Sequence, residues 1–358
     1  MVEFLTVKAP FALKKQRLYR FALGIAVGLV VFYVANPTLW FRPFSGLKTF
    51  WILNVYRKEF NIPVYFFGEF YSPQRPAPFW NGFFWLAATA PLPILCLALW
   101  GALKFLFPGR KYQDEPSTRF ERRFHAGTAL ALALTLPLVR CFPGLPVHDG
   151  SRLLIASQAF LGVLAGTGIA ALARGGRKAI PLLCSVIALG AGGVDVARSA
   201  PVYLSFYNAA VGGCYGAFRL GLEPTYYWDS FDRSAMNFLN EELKRAQENK
   251  EPTGVLFGSF SSETLEYLAR SGELHSDELA TISDPSVFTD SRLKKFGFYV
   301  TQLRPSGITD FDLEIMNTYK PIGRRYFQEP IPALWGRERE VALLEIYKID
   351  QKFFTEGK

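Results

Sequence analysis

The sequence has few of the side chains that ordinarily bind metals. It holds three histidines and four cysteines in 358 residues, and no group of them has the spacing of a zinc or iron site. It also lacks a P-loop, a dinucleotide-binding fingerprint and a nucleophile elbow. We therefore predict neither a metal nor another cofactor, and these motifs assign no catalytic residue.

Charged residues are scarce as well, and they are unevenly distributed. They make up 20% of the chain, whereas 50% of the residues are hydrophobic and 16% are aromatic. Residues 1–200 hold 22 Lys/Arg against 8 Asp/Glu, a net charge of +14, and residues 201–358 hold 18 against 23, a net charge of −5. No basic groove with interleaved aromatic residues accompanies the excess, so a nucleic-acid partner is not expected. The composition is typical of a membrane protein with basic anchors and a separate soluble region.

Five apolar segments predict membrane-spanning helices: residues 21–35, 83–107, 126–142, 153–173 and 179–196. A helix needs about 20 apolar residues to cross the hydrocarbon core, and the first, third and fifth segments are shorter than that. Local thinning of the bilayer or packing inside a bundle would accommodate them. The predicted fold is a polytopic α-helical membrane protein with about five spans over residues 1–198, followed by a small α/β domain over residues 199–358.

The basic residues predict the orientation of these spans. Lys/Arg cluster before the first segment, after the second and after the fourth, which places all three clusters on one side. By the positive-inside rule that side is the cytoplasm. The loop 36–82, the short loop around His148 and the tail from residue 199 then face outward. We predict a multi-pass protein of the plasma (inner) membrane with an extracytoplasmic C-terminus.

The outward loop 36–82 contains a helical pattern in FSGLKTFWILNVYRKEF. Leu47, Trp51 and Val55 recur at helical spacing, with Lys48 and Arg57 among them. Two interpretations fit: an amphipathic helix in the membrane interface, or a loop helix packed on the bundle.

The tail has the alternation of strands and helices that an α/β domain requires. TGVLFGSF, GFYVTQLRP and VALLEIYKI are predicted strands. One amphipathic helix is predicted to be opened by Asp229 or Ser230. A second is predicted to be capped by Ser262 and to end at Gly272.

Residues 146–152, PVHDGSR, place three polar side chains between two apolar segments. Asp149 and Arg152 could form a local ion pair at a helix start, with Arg152 extending toward the membrane surface. Alternatively, His148, Asp149 and Arg152 form the polar edge of a binding site. Cys141 and Cys214, both predicted on the outer side, could form a disulfide or remain separate thiols.

Three stretches, in this order, resemble the C-terminal half of family 39 glycosyltransferases, the GT-C membrane enzymes that include protein O-mannosyltransferases. They are PVYFFGEFYSPQRPAPFWNGFFWLAATAPLPIL, PVHDGSRLLIASQAFLGVLAG and APVYLSFYNAAVGGCYGAFRLGLEPTYYWD. The resemblance covers roughly residues 35–240. Beyond residue 250 only the general character is similar.

The resemblance implies a substrate and a reaction. Such enzymes transfer a sugar from a polyprenyl-phosphate carrier to an acceptor outside the cytoplasm. Arg152 and His148 are suited to bind the carrier phosphate, Asp149 to orient them, and Glu69 to contact the sugar or the phosphate. The reaction also needs a carboxylate base, which the family carries in an early loop that this sequence does not match. The chain is therefore expected to be the C-terminal portion of such an enzyme, or to act with a separate N-terminal half or partner subunit.

Two other functional classes remain compatible with the sequence. One is a non-catalytic membrane protein whose outer domain binds a glycan or a partner subunit. The other is a transporter, which the sequence favours less because it has few intramembrane charges and no pair of interrupted spans.

Overall fold

The computed structural model describes residues 11–36, 39–55, 63–72, 74–107, 116–142, 150, 152–173, 179–226, 228–258, 260–288, 290–328 and 340–350. The chain divides into two compact units, Met1–Phe60 and Asn61–Lys358. Helices predominate among the described residues, and a five-stranded sheet lies in the C-terminal region.

The described residues of the first unit form two helices. Helix α1 is Phe11–Ala35 and includes the first predicted span, and helix α2 is Pro43–Val55. The indole N–H of Trp40 donates to the Tyr33 carbonyl at 2.9 Å and secures the turn between them. The helix predicted in FSGLKTFWILNVYRKEF is confirmed up to Val55, and residues 56–60 of that stretch lie outside the described residues. The Phe44 and Trp51 side chains of α2 are exposed.

The second unit begins with a hairpin and continues as a set of apolar helices. Strands β1 (Val64–Phe66) and β2 (Glu69–Tyr71) pair antiparallel. The helices that follow are α3 (Asn81–Ala88), α4 (Leu92–Leu106), α5 (Pro116–Val139), α6 (Ile155–Ala173) and α7 (Ala179–Ser199), with a 3-10 turn Arg152–Leu154 leading into α6.

The prediction of one continuous helix over residues 83–107 is wrong, because the chain breaks between α3 and α4. The hydroxyl of Thr89 donates to the Trp85 carbonyl at 2.7 Å, where α3 ends. Pro91 then caps α4 and Pro93 lies in its first turn. Proline has no N–H to continue the α3 hydrogen bonds but suits the first turn of a new helix.

Two of the described helices are long and apolar enough to cross a membrane: Arg152–Ala173, which includes the 3-10 turn, and Ala179–Ser199. Shorter apolar stretches occupy the other predicted spans: Ala22–Val34, Leu92–Leu106 and Arg123–Val139. Helix α7 carries exposed apolar side chains along its length, with Leu189 76% exposed. Helices α4 and α6 approach closely at two glycines: a Cβ added at Gly101 would lie 2.2 Å from the Leu164 carbonyl oxygen, and one at Gly168 would lie 2.2 Å from that of Leu97.

The C-terminal sheet has the strand order β4-β3-β5-β7-β6. Its strands are β3 (Gly254–Phe257), β4 (Leu279–Thr281), β5 (Phe296–Gln302), β6 (Gly323–Gln328) and β7 (Glu340–Lys348). Strand β3 is parallel to β4 and β5, whereas β7 is antiparallel to β5 and β6. Helices cover both faces. Helices α9 (Arg233–Glu248) and α10 (Ser262–Ser271) pack on one face, and α11 (Asp290–Leu293) and α12 (Asp310–Thr318) on the other; the short α8 is Gly213–Arg219.

The three predicted strands of the tail are confirmed, but the predicted capping residues of two helices are wrong. Asp232 caps α9, accepting from the backbone N–H groups of Ser234 and Ala235, so the helix does not begin at Asp229 or Ser230. Ser261, not Ser262, caps α10. Gly272 ends α10 in the left-handed conformation, as predicted.

Candidate functional site

The three stretches that carry the family resemblance contact one another at one end of the apolar helices. Asn208 makes the first of these contacts. Its side-chain N–H₂ donates to the carbonyls of Ala87 at 2.6 Å and Ala90 at 2.7 Å, and its backbone N–H donates to Ala88 at 2.8 Å. These carbonyls lie at the break between α3 and α4, where the helix leaves them without intrahelical partners. The buried Asn208 therefore joins the third stretch to the first.

The second stretch joins the other two through Gln158 and Gly150. The amide of Gln158, on α6, donates to the Thr89 hydroxyl at 2.8 Å. Gly150 has a φ of +47°, and an added Cβ would lie 2.8 Å from the Tyr226 ring. Only glycine fits both this backbone conformation and this approach.

Two arginines, Arg140 and Arg152, lie on either side of Gly150 in the sequence. Arg140, buried just beyond the end of α5, donates from Nη1 to the Gly150 carbonyl at 3.1 Å. Arg152 is exposed and begins the 3-10 turn, which packs against α3 and α5. Arg140 was not predicted as a site residue because it lies inside a predicted span; the available signal was a single cation in an otherwise apolar segment.

Helix α3 contributes polar atoms that are buried without a hydrogen-bond partner in the described part of the chain. They are both amide atoms of Asn81 and the indole nitrogen of Trp85. These residues are four apart and so share one face of α3. A Cβ added at Gly82 would lie 3.2 Å from the Arg140 Cβ, which places the start of α3 against the end of α5. Buried polar atoms of this kind are normally satisfied by water or a ligand.

Aromatic side chains form the wall behind Gly150. The Trp85 ring lies edge-on to Tyr226 at 5.5 Å between centroids. The Tyr207 hydroxyl donates to the Glu223 carbonyl at 2.6 Å and lies 3.4 Å from the Tyr226 hydroxyl. Burial raises the pKa of both tyrosines well above the usual value, so both hydroxyls stay protonated.

A buried ion pair connects this wall to the sheet region. Arg304 follows β5 and donates from Nε to the Glu223 carboxylate at 3.0 Å and from Nη1 to the Tyr226 carbonyl at 3.1 Å. The backbone N–H of Ser306 donates to the other Glu223 oxygen at 3.1 Å. Burial raises the pKa of Glu223, and the Arg304 guanidinium opposes that shift. Both carboxylate oxygens are thus engaged in holding the loop after β5 against Tyr226.

The predicted site residues have different outcomes. Arg152 is exposed at the start of the 3-10 turn, two residues after Gly150. Glu69 is exposed on β2, and its carboxylate accepts from Arg75 at 3.1 Å. His148 and Asp149 lie outside the described residues. Cys141 and Cys214 do not form the disulfide that the sequence left open.

The arrangement combines cations, a buried amide and an aromatic wall, which suits recognition of a phosphate attached to a hydroxyl-bearing group. The described residues include no cluster of three or more His, Cys, Asp or Glu that could hold a metal ion. Comparison of the chain with protein-family models, curated proteins and solved structures finds no match.

Proposed function

We propose that this protein is a membrane glycosyltransferase of the GT-C type, or the C-terminal portion of one, and that it uses a polyprenyl-phosphate-linked sugar outside the cytoplasm. The observation that carries the proposal is the contact between three segments far apart in sequence. Asn208, Gln158 and Gly150 connect them at the ends of the helices. The same segments carry the sequence resemblance, although hydrophobic patterning alone does not require them to meet.

The carrier phosphate binds beside Gly150 in this proposal. Arg152 is its principal ligand, because a guanidinium matches two phosphate oxygens, and the buried charge of Arg140 adds to the positive potential. His148 assists and Asp149 orients these groups. A charge-assisted contact of this kind contributes on the order of 1.5–3 kcal/mol.

The carrier's lipid tail lies along the apolar helices. Helices α6 and α7 have the length to span, and the remaining apolar helices complete a five-span arrangement in the plasma (inner) membrane. The sheet region is then extracytoplasmic, which agrees with the basic residues on the opposite side.

A second candidate function is a non-catalytic protein that binds the lipid-linked sugar, a glycan or a partner subunit. Glu223 favours it, because this buried carboxylate is held by Arg304 and Ser306 and is not available as a base. The enzyme hypothesis has the base supplied by a separate N-terminal half or partner subunit, as the family resemblance implies.

The test of the phosphate site is binding of a polyprenyl-phosphate analogue to the purified protein in detergent. Arg152→Lys keeps the charge but loses the planar fork, and Arg152→Ala loses both. We expect Arg152→Ala to weaken binding by roughly ten- to hundredfold and Arg152→Lys by less.

Arg270→Ala is the matched control, since Arg270 is an exposed arginine on α10. It should bind as the wild type does. Wild-type affinity in both folded Arg152 variants would make Arg152 an interfacial anchor only. Sugar release from a labelled donor, with acceptor membranes added, separates the enzyme from the binding protein.

A further inference from the structure

The β1–β2 hairpin and the turn before α3 expose four large aromatic side chains: Phe67, Phe70, Phe79 and Trp80. We call this set the aromatic rim. Phe79 is 68% exposed and the other three are at least 38% exposed. Isolated exposed apolar residues are common, but several large exposed aromatic residues within one hairpin and its adjoining turn indicate an interaction surface.

The aromatic rim is an ordered part of the fold. The Phe67 ring lies 5.5 Å from Trp80 and 5.0 Å from Phe84, between centroids, and Phe70 lies 5.0 Å from Tyr65. Phe67 occupies a turn position with a φ of +52°, where asparagine or glycine is favoured. The chain therefore places an aromatic ring at the hairpin tip despite a conformational cost of about 1–3 kcal/mol.

The aromatic rim continues into the exposed apolar end of α5. The Cys141 thiol donates to the Phe79 carbonyl at 3.2 Å, which fixes Phe79 beside that end. Leu138, Val139 and Phe142 are exposed there, Phe142 by 66%. Since α5 packs against α6, a candidate span, the apolar surface extends from the helices to the hairpin.

Both faces of the hairpin carry aromatic side chains. Phe66 is paired with Glu69 and packs on Trp80, whereas Phe70 is paired with Tyr65 on the opposite face. An exposed ion pair lies beside these rings: Arg75 pairs with Glu69 at 3.1 Å, and its guanidinium lies 5.4 Å from the centre of the Tyr71 ring. Exposed aromatic rings next to charged groups are typical of the boundary between hydrocarbon and lipid headgroups.

We propose that the aromatic rim inserts into the headgroup region of the outer leaflet, so that the hairpin is a membrane-interface anchor. Its partner is a lipid surface, not a glycan or a protein. The proposal rests on the membrane location in the proposed function and is independent of sugar transfer. Insertion would hold the hairpin, and with it the start of α3, at the depth of the lipid headgroups.

The test places the photoreactive residue p-benzoylphenylalanine at Phe70 or at Phe79 in the full chain, reconstituted in phosphatidylcholine vesicles. It resembles phenylalanine, so the fold should tolerate it at these exposed positions. The same residue at Leu189 on α7 is the positive control, and at Tyr267, an exposed aromatic on α10, the negative control. After irradiation, covalent lipid adducts are measured by mass spectrometry.

We expect adduct yields at Phe70 and Phe79 within about threefold of Leu189 and at least about tenfold above Tyr267. Yields at the Tyr267 level, with Leu189 forming adducts, would overturn the anchor while leaving the spans in place. Adducts to added oligosaccharide or to protein instead of lipid would overturn it as well. Background yields at all four positions would instead contradict the membrane location itself.

Discussion

Asp229 shows at the scale of a single residue how burial makes stability depend on pH. Its carboxylate accepts a hydrogen bond from the Leu204 backbone at 3.3 Å, and burial raises its pKa to about 6. An unfolded chain gives an aspartate a pKa near 3.9. Because the folded pKa is the higher one, the stabilisation is fully present below about pH 4 and is lost as the pH rises through 6.

We expect Asp229→Asn to remove this dependence, because asparagine keeps an acceptor for the Leu204 N–H but cannot ionise. At pH 7 the variant should be more stable than the wild type by on the order of 1–2 kcal/mol, allowing for the partial exposure of Asp229. Thermal unfolding in detergent from pH 4 to pH 8 measures the effect. Asp310→Asn, at an exposed position, should keep the wild-type slope. If the stability of Asp229→Asn falls with rising pH as steeply as that of the wild type, the raised pKa assigned to Asp229 is wrong.

At the scale of secondary-structure elements, the break between α3 and α4 is the feature that organises the site. It frees the carbonyls of Ala87, Ala88 and Ala90, and Asn208 binds all three. The segment that follows α7 is thereby held on the helices, which brings Tyr207 and Tyr226 to Trp85.

We therefore expect Asn208→Ala to lower the free energy of unfolding by more than most alanine substitutions do. It leaves two buried carbonyls without their side-chain donor, at a combined cost of roughly 2–4 kcal/mol. Denaturant unfolding measures the loss, and Asn317→Ala, at an exposed position on α12, should stay within about 0.5 kcal/mol of the wild type. Equal effects of the two substitutions would show that the Asn208 contacts contribute little.

Hydrophobic patterning predicted most elements but not their interruptions. Long apolar runs located α6 and α7, and β-branched and aromatic runs located β3, β5 and β7. The average hydropathy of residues 83–107 stays high across Thr89–Pro91, so it concealed the break. The capping residues of α9 and α10 were predicted wrongly because several neighbouring Asp and Ser residues can cap a helix, and only the backbone direction selects Asp232 and Ser261.

At the scale of the whole molecule, the site is less predictable than the elements. Arg152 was predicted as a site residue because a cation at a span boundary is conspicuous in sequence. Arg140 and Asn81 were not, since their roles depend on the packing of α3 against α5. Glu223 and Arg304 are 81 residues apart, and no local pattern pairs them.

The uneven charge along the chain yields a prediction for the orientation of the whole molecule. If residues 199–358 are extracytoplasmic, a reporter enzyme that folds only after export should be active when fused after Lys358. A reporter that works only in the cytoplasm, fused at the same position, is the control and should be inactive. The reverse result would invert the predicted topology.

The Glu223–Arg304 pair also bears on how the newly synthesised chain matures. The helices leave the ribosome long before Arg304, and the same hydrophobic cluster that contains Trp85 and Leu154 also contains Val341 and Leu343 of β7. At ordinary translation speeds, roughly ten to forty seconds separate synthesis of Gly150 from that of Leu343. During that interval β7 and the loop after β5 are not yet packed on the ends of the helices. A chaperone or a quality-control protease would therefore encounter the site before it is complete.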